Sequence, residues 1–100
     1  MIADPVAAGR HALTALPHRH LVVHFDVDVL DALDLPLADI ATYGTGLRLD
    51  HVVPLLGTLV ADPRVVGMTV VEANPDHDPE GTSIRRLVTA VAAALAEPVG

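Results

Sequence analysis

Apolar positions fall in blocks along the chain, and polar, Pro-marked intervals separate them. From Val6 to Leu16 the residues are good helix formers and Pro17 ends the run, so the pattern predicts a short helix. His20-Leu21-Val22-Val23-His24-Phe25 follows, a short β-branched run with apolar residues on both faces, as in a strand of a parallel sheet buried on both sides. Between Asp26 and Leu47 lie five Asp, one Pro, two Gly and no Lys or Arg, without a helical period, which predicts a long functional loop. Asp50 then caps a helix whose apolar face is Val52, Val53, Leu55, Leu56, Leu59 and Val60; Pro54 is tolerated in its first turn or just after, and Asp62-Pro63 ends it. Arg64 to Glu72 reads as a second buried strand and Asn74 to Gly81 as a loop. Thr82 or Ser83 caps a last helix from Ile84 to about Ala96, with Pro98 just past its end.

Strands alternating with helices predict an α/β fold: a parallel sheet with right-handed crossovers and a ligand crevice at the carboxyl ends of the strands. Both polar loops sit at those ends. Two such strands need neighbours on their edges and cover on both faces, and three helices supply only part of it, so the chain reads as a partial domain.

Composition narrows the partners. Six Arg and no Lys oppose thirteen acidic residues, for a net charge of −7, and Phe25 and Tyr43 are the only aromatics. Such a surface repels phosphate backbones and anionic lipid and offers no stacking platform, which excludes nucleic acid and membrane as expected partners. There is no Cys, hence no disulfide framework or thiolate zinc site. No secretory leader is evident in Met1-Ile2-Ala3-Asp4-Pro5, and a cytoplasmic protein is the expectation.

The chemistry concentrates where the first strand ends, at His24-Phe25-Asp26-Val27-Asp28-Val29-Leu30-Asp31. Alternate strand residues share a face, so His24, Asp26 and Asp28 converge, and two close carboxylates call for a proton or a cation. Hard oxygen ligands suit Mg²⁺ or Mn²⁺, and an imidazole favours Mn²⁺. The plain alternative is a turn whose Asp residues cap backbone amides. Glu72, at the end of the second strand, is placed either to hold a cationic group or to pair with Arg64 or Arg85.

These residues resemble the arginase and agmatinase (ureohydrolase) family. The likeness is carried by His24-Phe25-Asp26-Val27-Asp28-Val29-Leu30-Asp31-Ala32, Gly44-Thr45-Gly46-Leu47 and Glu72-Ala73-Asn74-Pro75, in order, and spans about residues 20–97. The resemblance implies that residues 1–100 are the C-terminal part of a single arginase-like domain with a three-layer α/β/α fold. It implies a centre of two Mn²⁺ ions, with Asp26 bridging both and Asp28 bound to one, and Glu72 receiving the guanidinium. In the complete enzyme the ions acidify a water that attacks the guanidinium carbon, so that arginine gives ornithine and urea; agmatine or a guanidino acid is the alternative substrate within the family. Asp31 reads as a turn or supporting residue.

The departures matter equally. The family's Gly-Gly-Asp-His and Asp-Ala-His-x-Asp motifs are not in this sequence, His24 replaces Ser, and Ala32 replaces Pro. The expectation is therefore a chain inactive alone, which self-associates or docks on a longer relative; a noncatalytic remnant that binds metal weakly is the second reading. A nucleotide-sugar enzyme using Asp-x-Asp is the third, and no Gly-rich phosphate loop supports it. His24 reads as packed beside the sheet or at a subunit contact, His77 as a rim residue, and His11, His18, His20 and His51 as surface or boundary residues.

Overall fold

The computed structural model describes residues 4–39 and 43–96, so residues 40–42 of the first loop and Pro98 lie outside the described part. The order is helix α1 (Pro5–Thr14), strand β1 (Leu21–Asp26), helix α2 (Leu49–Ala61), strand β2 (Val65–Val71) and helix α3 (Thr82–Ala96). Each strand runs into one short 3-10 turn, Val27–Val29 after β1 and Pro75–His77 after β2. β1 and β2 pair in parallel, from Leu21 against Val65 to Asp26 against Val71, with an irregularity between Leu21 and Val22. The crossover architecture is the one the sequence predicts, and both strands deliver their carboxyl ends to one edge.

The core collects Phe25 with Val52 and Leu56 of α2 and Leu87 and Ala94 of α3, while Val23 and Met68 pack against it from the sheet. Partners in a parallel ladder share a face, so the other side of the pair carries Val22, His24, Gly67 and Thr69. That face is open: Val22 is 62% exposed. The expectation of strands buried on both faces is thus corrected for this chain, whose described helices cover only part of the core-facing side, where Val70, the partner of Phe25, is still 42% exposed.

The first loop is also different from its expected character. Leu30, Leu35 and Leu37 are among the most completely buried side chains, and Val27 accompanies them. The acidic residues between them hold the backbone. Asp31, only 7% exposed, accepts hydrogen bonds from the amides of Leu33 and Gly44, each at 3.0 Å, and Leu30 bridges Leu47 in parallel. Leu35 and Leu37 can bury their side chains because carboxylates and backbone partners satisfy the polar groups around them.

Asp34 corrects the expected cap of α2. The helix begins at Leu49, where Arg48 provides no side-chain cap, and Asp50 lies inside the first turn, paired with Arg48 at 3.4 Å. The Leu49 amide instead donates to Asp34 Oδ2 at 2.7 Å, across fifteen residues of chain. Arg86 of α3 reaches the same residue, through Nη1 to its carbonyl at 2.6 Å and through Nη2 to Oδ1 at 3.1 Å. One carboxylate therefore ties the loop to two helices. Pro54 falls in the second turn of α2, just after the first, and the helix continues through it.

At the opposite end, Arg64 is paired with Asp62 at 3.0 Å and donates to the carbonyls of Leu13, Leu16 and His18. These satisfy the chain where α1 ends at Thr14, two residues before the expected stop. Gly9 brings α1 close to α2; a Cβ there would stand 3.1 Å from the buried Thr58 side chain.

The Leu49 amide, with help from Arg86, holds the Asp34 carboxyl below its ordinary value of 3.8. A lowered folded value stabilises above the unfolded one, and that contribution fades as pH falls through the folded value. Asp34→Ala should cost roughly 2 kcal/mol near pH 7, from the lost cap and the stranded Arg86, and progressively less below about pH 4. Urea unfolding at the two pH values checks this; a loss under about 0.5 kcal/mol at pH 7 would remove Asp34 from its central role.

Candidate functional site

The 3-10 turn after β1 begins with Asp26, whose Oδ1 accepts the Asp28 amide at 2.8 Å. β2 ends one residue before Glu72, and the next turn repeats the device, with Asn74 Oδ1 accepting the Asp76 amide at 2.9 Å. Side chains that accept the amide two residues on are what Asp and Asn do at turn entries. So the backbone-capping alternative for Asp26 is realised, and it leaves Asp26 Oδ2 and all of Asp28 for other work.

Asp28 is the exceptional group. Its Oδ1 is buried without a hydrogen-bond partner among the described residues. Desolvation first, then the charges of Asp26 and Asp39, push its carboxyl above the ordinary value. A buried, unpartnered carboxylate oxygen beside two more anions is costly unless a cation or proton compensates it. The donor set of Asp26 and Asp28 therefore fits one side of a hard divalent cation. It does not close a metal site: among the described residues no three His, Cys, Asp or Glu side chains are grouped to hold one. His24 does not join them. It lies on the open sheet face, hydrogen-bonded through Nδ1 to Thr69 Oγ1 at 2.7 Å.

Glu72 has φ +70°, and it is the described non-glycine residue with positive φ. That left-handed backbone costs a Glu about 1–2 kcal/mol, and such outliers persist where surrounding structure over-determines them. The determinants are visible: Ala73 bridges Ala38 in antiparallel fashion, and the Asn74 amide donates to the Leu37 carbonyl at 2.8 Å. The expected alternative pairing with Arg64 or Arg85 is not formed; Arg64 is committed to Asp62, and Glu72 enters no ion pair among the described residues.

The bridge brings in a residue that the sequence reading passed over. Asp39 Oδ1 accepts Asn74 Nδ2 at 2.8 Å and lies 2.7 Å from His77 Nε2. These partners hold its carboxyl below the ordinary value. The signal for Asp39 was weak, one of five Asp in an interval without periodicity. Asp31, by contrast, is the turn residue that the sequence predicts, its carboxyl held below the ordinary value by the Gly44 and Leu33 amides.

The arginase family model matches residues 3–97. The chain belongs to the arginase family. Among solved structures it is similar to formimidoylglutamase from Bacillus subtilis, with TM-score 0.81 and 22% identity over 92% of this chain and 29% of that one. It is also similar to Trypanosoma cruzi formiminoglutamase with Mn²⁺, with TM-score 0.77 and 22% identity over 93% and 31%. Helicobacter pylori arginase gives TM-score 0.73 and 19% identity over 92% and 30%. No curated protein matches the chain. At these identities the likeness establishes the fold, and the chain spans about 30% of the length of these arginase-fold structures. It is a partial α/β domain of that fold.

Backbone strain at Glu72 yields a sharp expectation. Glu72→Gly should leave the protein as stable or up to about 1 kcal/mol more stable, whereas Glu72→Val should lose at least about 1 kcal/mol. Denaturant midpoints decide; a clear loss of stability in Glu72→Gly would mean that the Glu side chain, rather than function, maintains the left-handed conformation.

Proposed function

We propose that this chain supplies one wall of the active site of a binuclear-manganese ureohydrolase, with Asp26 and Asp28 as metal ligands and Glu72 as the acceptor of a guanidinium substrate. The observation that carries it is the Asp28 Oδ1 just past the carboxyl end of β1, buried without a hydrogen-bond partner among the described residues and with the like charges of Asp26 and Asp39 acting on its carboxyl. Support comes from the family match over residues 3–97 and from the strained Glu72 at the end of the adjacent strand. Residues 1–100 form the C-terminal part of one arginase-like domain in this reading.

When bound, the metals supply Lewis acidity and a water acidic enough to react at neutral pH. The chain's own part is electrostatic and positional. Asp26 and Asp28 offer anionic oxygens where a divalent ion is wanted, and Glu72 offers charge-assisted hydrogen bonds to a planar guanidinium. A complete site would turn arginine into ornithine and urea, with other guanidino compounds as alternatives. Two carboxylates cannot hold two metal ions, so the isolated chain is expected to release no urea from arginine.

Metal should act on stability in a way that Asp28 controls. Without metal, Asp28→Asn should stabilise the chain, since it removes a desolvated charge facing Asp26 and Asp39. Added Mn²⁺ should raise the stability of the unmodified chain, by about 1.4 kcal/mol at ten times Kd, and leave Asp28→Asn nearly unchanged. Thermal melts with and without Mn²⁺ read both effects. Equal responses in the two proteins would defeat the assignment of Asp28.

The open sheet face and edges should bring chains together, either as copies of this one or on a longer relative. Val22 and Val66 stand 62% and 65% exposed beside the unpaired backbone of a two-stranded sheet. Sedimentation at micromolar concentration should show oligomers; a cooperatively unfolding monomer would contradict this and show that the core is complete.

A further inference from the structure

Helix α3 sends Leu87 and Ala94 into the core, but Thr82, Arg85, Thr89 and Ala93, each three or four positions from the next, form a flank outside it. That flank and α2 enclose a cleft of about 460 Å³, a volume within the range of small-molecule sites. Two observations give it a chemistry. The floor is apolar: Leu49 and Val53 of α2 face Ala90 and Ala93 of α3, whose short side chains leave room for a narrow chain of methylenes. The charge at its wall is positive. In a chain of net charge −7, α3 carries Arg85 and Arg86 and no acid, and no Asp or Glu lines the cleft among the described residues. Arg86 is held in place by Asp34, which takes two of its five guanidinium donors. Arg85 is exposed and enters no ion pair among the described residues, while Asp78, the acid before the helix, is taken by the Ile84 amide at 2.8 Å.

We propose that this cleft binds a small aliphatic monocarboxylate, with its carboxylate at Arg85 and Arg86 and its hydrocarbon chain along Val53, Ala90 and Ala93. A planar guanidinium matches a carboxylate through paired, charge-assisted hydrogen bonds. An anion without a tail uses the arginines and leaves the apolar floor in water, and an aliphatic ammonium uses the floor and meets two like charges. Only a molecule with both parts satisfies the cleft. Because Arg86 also joins α3 to Asp34, a ligand there adds a contact where the first loop, α2 and α3 meet, and it stabilises the fold by mass action.

Amide shifts of the ¹⁵N-labelled chain, titrated at constant ionic strength with acetate, hexanoate and hexylammonium, test this. Hexanoate should shift Val53, Arg85, Ala90 and Ala93 along one saturation curve and bind at least about ten-fold more tightly than acetate, the gain expected when two of its four additional methylenes leave water. Hexylammonium should bind at least about five-fold more weakly than hexanoate. Arg85→Gln should preserve the fold and weaken hexanoate about three- to five-fold, as loss of one exposed charge-assisted contact does. Ala93→Leu, at an exposed helical position, should fill the path of the tail and bring hexanoate down to the affinity of acetate. Equal affinity for hexanoate and acetate in the unmodified chain, equal affinity for hexanoate and hexylammonium, or hexanoate shifts centred on Val22 and His24 of the open sheet face would overturn the site.

Discussion

Everything in this chain that bears on chemistry depends on one pairing, the parallel ladder of β1 with β2. Parallel strands end on the same side, so a single register, Asp26 against Val71, places the turn of Asp26 and Asp28 beside that of Glu72 and Asn74. An antiparallel pair would have sent them to opposite edges. The crossover through α2 enforces the parallel sense, and α2 is in turn anchored by Asp34, which caps it from the first loop and holds α3 through Arg86. The site geometry is therefore inherited from the same contacts that keep the two helices on the sheet.

The acidic composition divides into two populations once the structure is known. Asp31, Asp34 and Asp62 are consumed by backbone amides and arginines, and these partners lower their carboxyls. Asp28 moves in the other direction, because its neighbours are Asp26, Asp39 and low-dielectric surroundings. The contrast separates acids that build the loop from an acid whose charge the loop leaves uncompensated. An acid of the second kind marks a site, since structural carboxylates are expected to find donors.

The sequence made the element order, the parallel sense and the crevice legible, because β-branched runs alternating with amphipathic helices admit few other arrangements. The motif residues Asp26, Asp28 and Glu72 stood out for the same reason, each directly at a strand end. Less was legible where partners are distant in sequence. The cap of α2 by Asp34, the buried side of Leu30, Leu35 and Leu37, and the joining of Asp39 to His77 all depend on contacts across many residues, which composition and periodicity do not record. The open face of the sheet is not legible for a related reason: an apolar, β-branched strand states that it is suited to burial, and not which chain provides the cover.

The central claim is that the loops after β1 and β2 form one cation-binding surface rather than two independent turns. Paramagnetic broadening of the ¹⁵N-labelled chain by substoichiometric Mn²⁺ tests it most directly. The account predicts that amides from Asp26 to Leu30 and from Glu72 to Asn74 broaden together, along a single saturation curve, and recover together in Asp28→Asn. Broadening confined to one of the two loops, or centred on Asp76, His77 and Asp78, would contradict it.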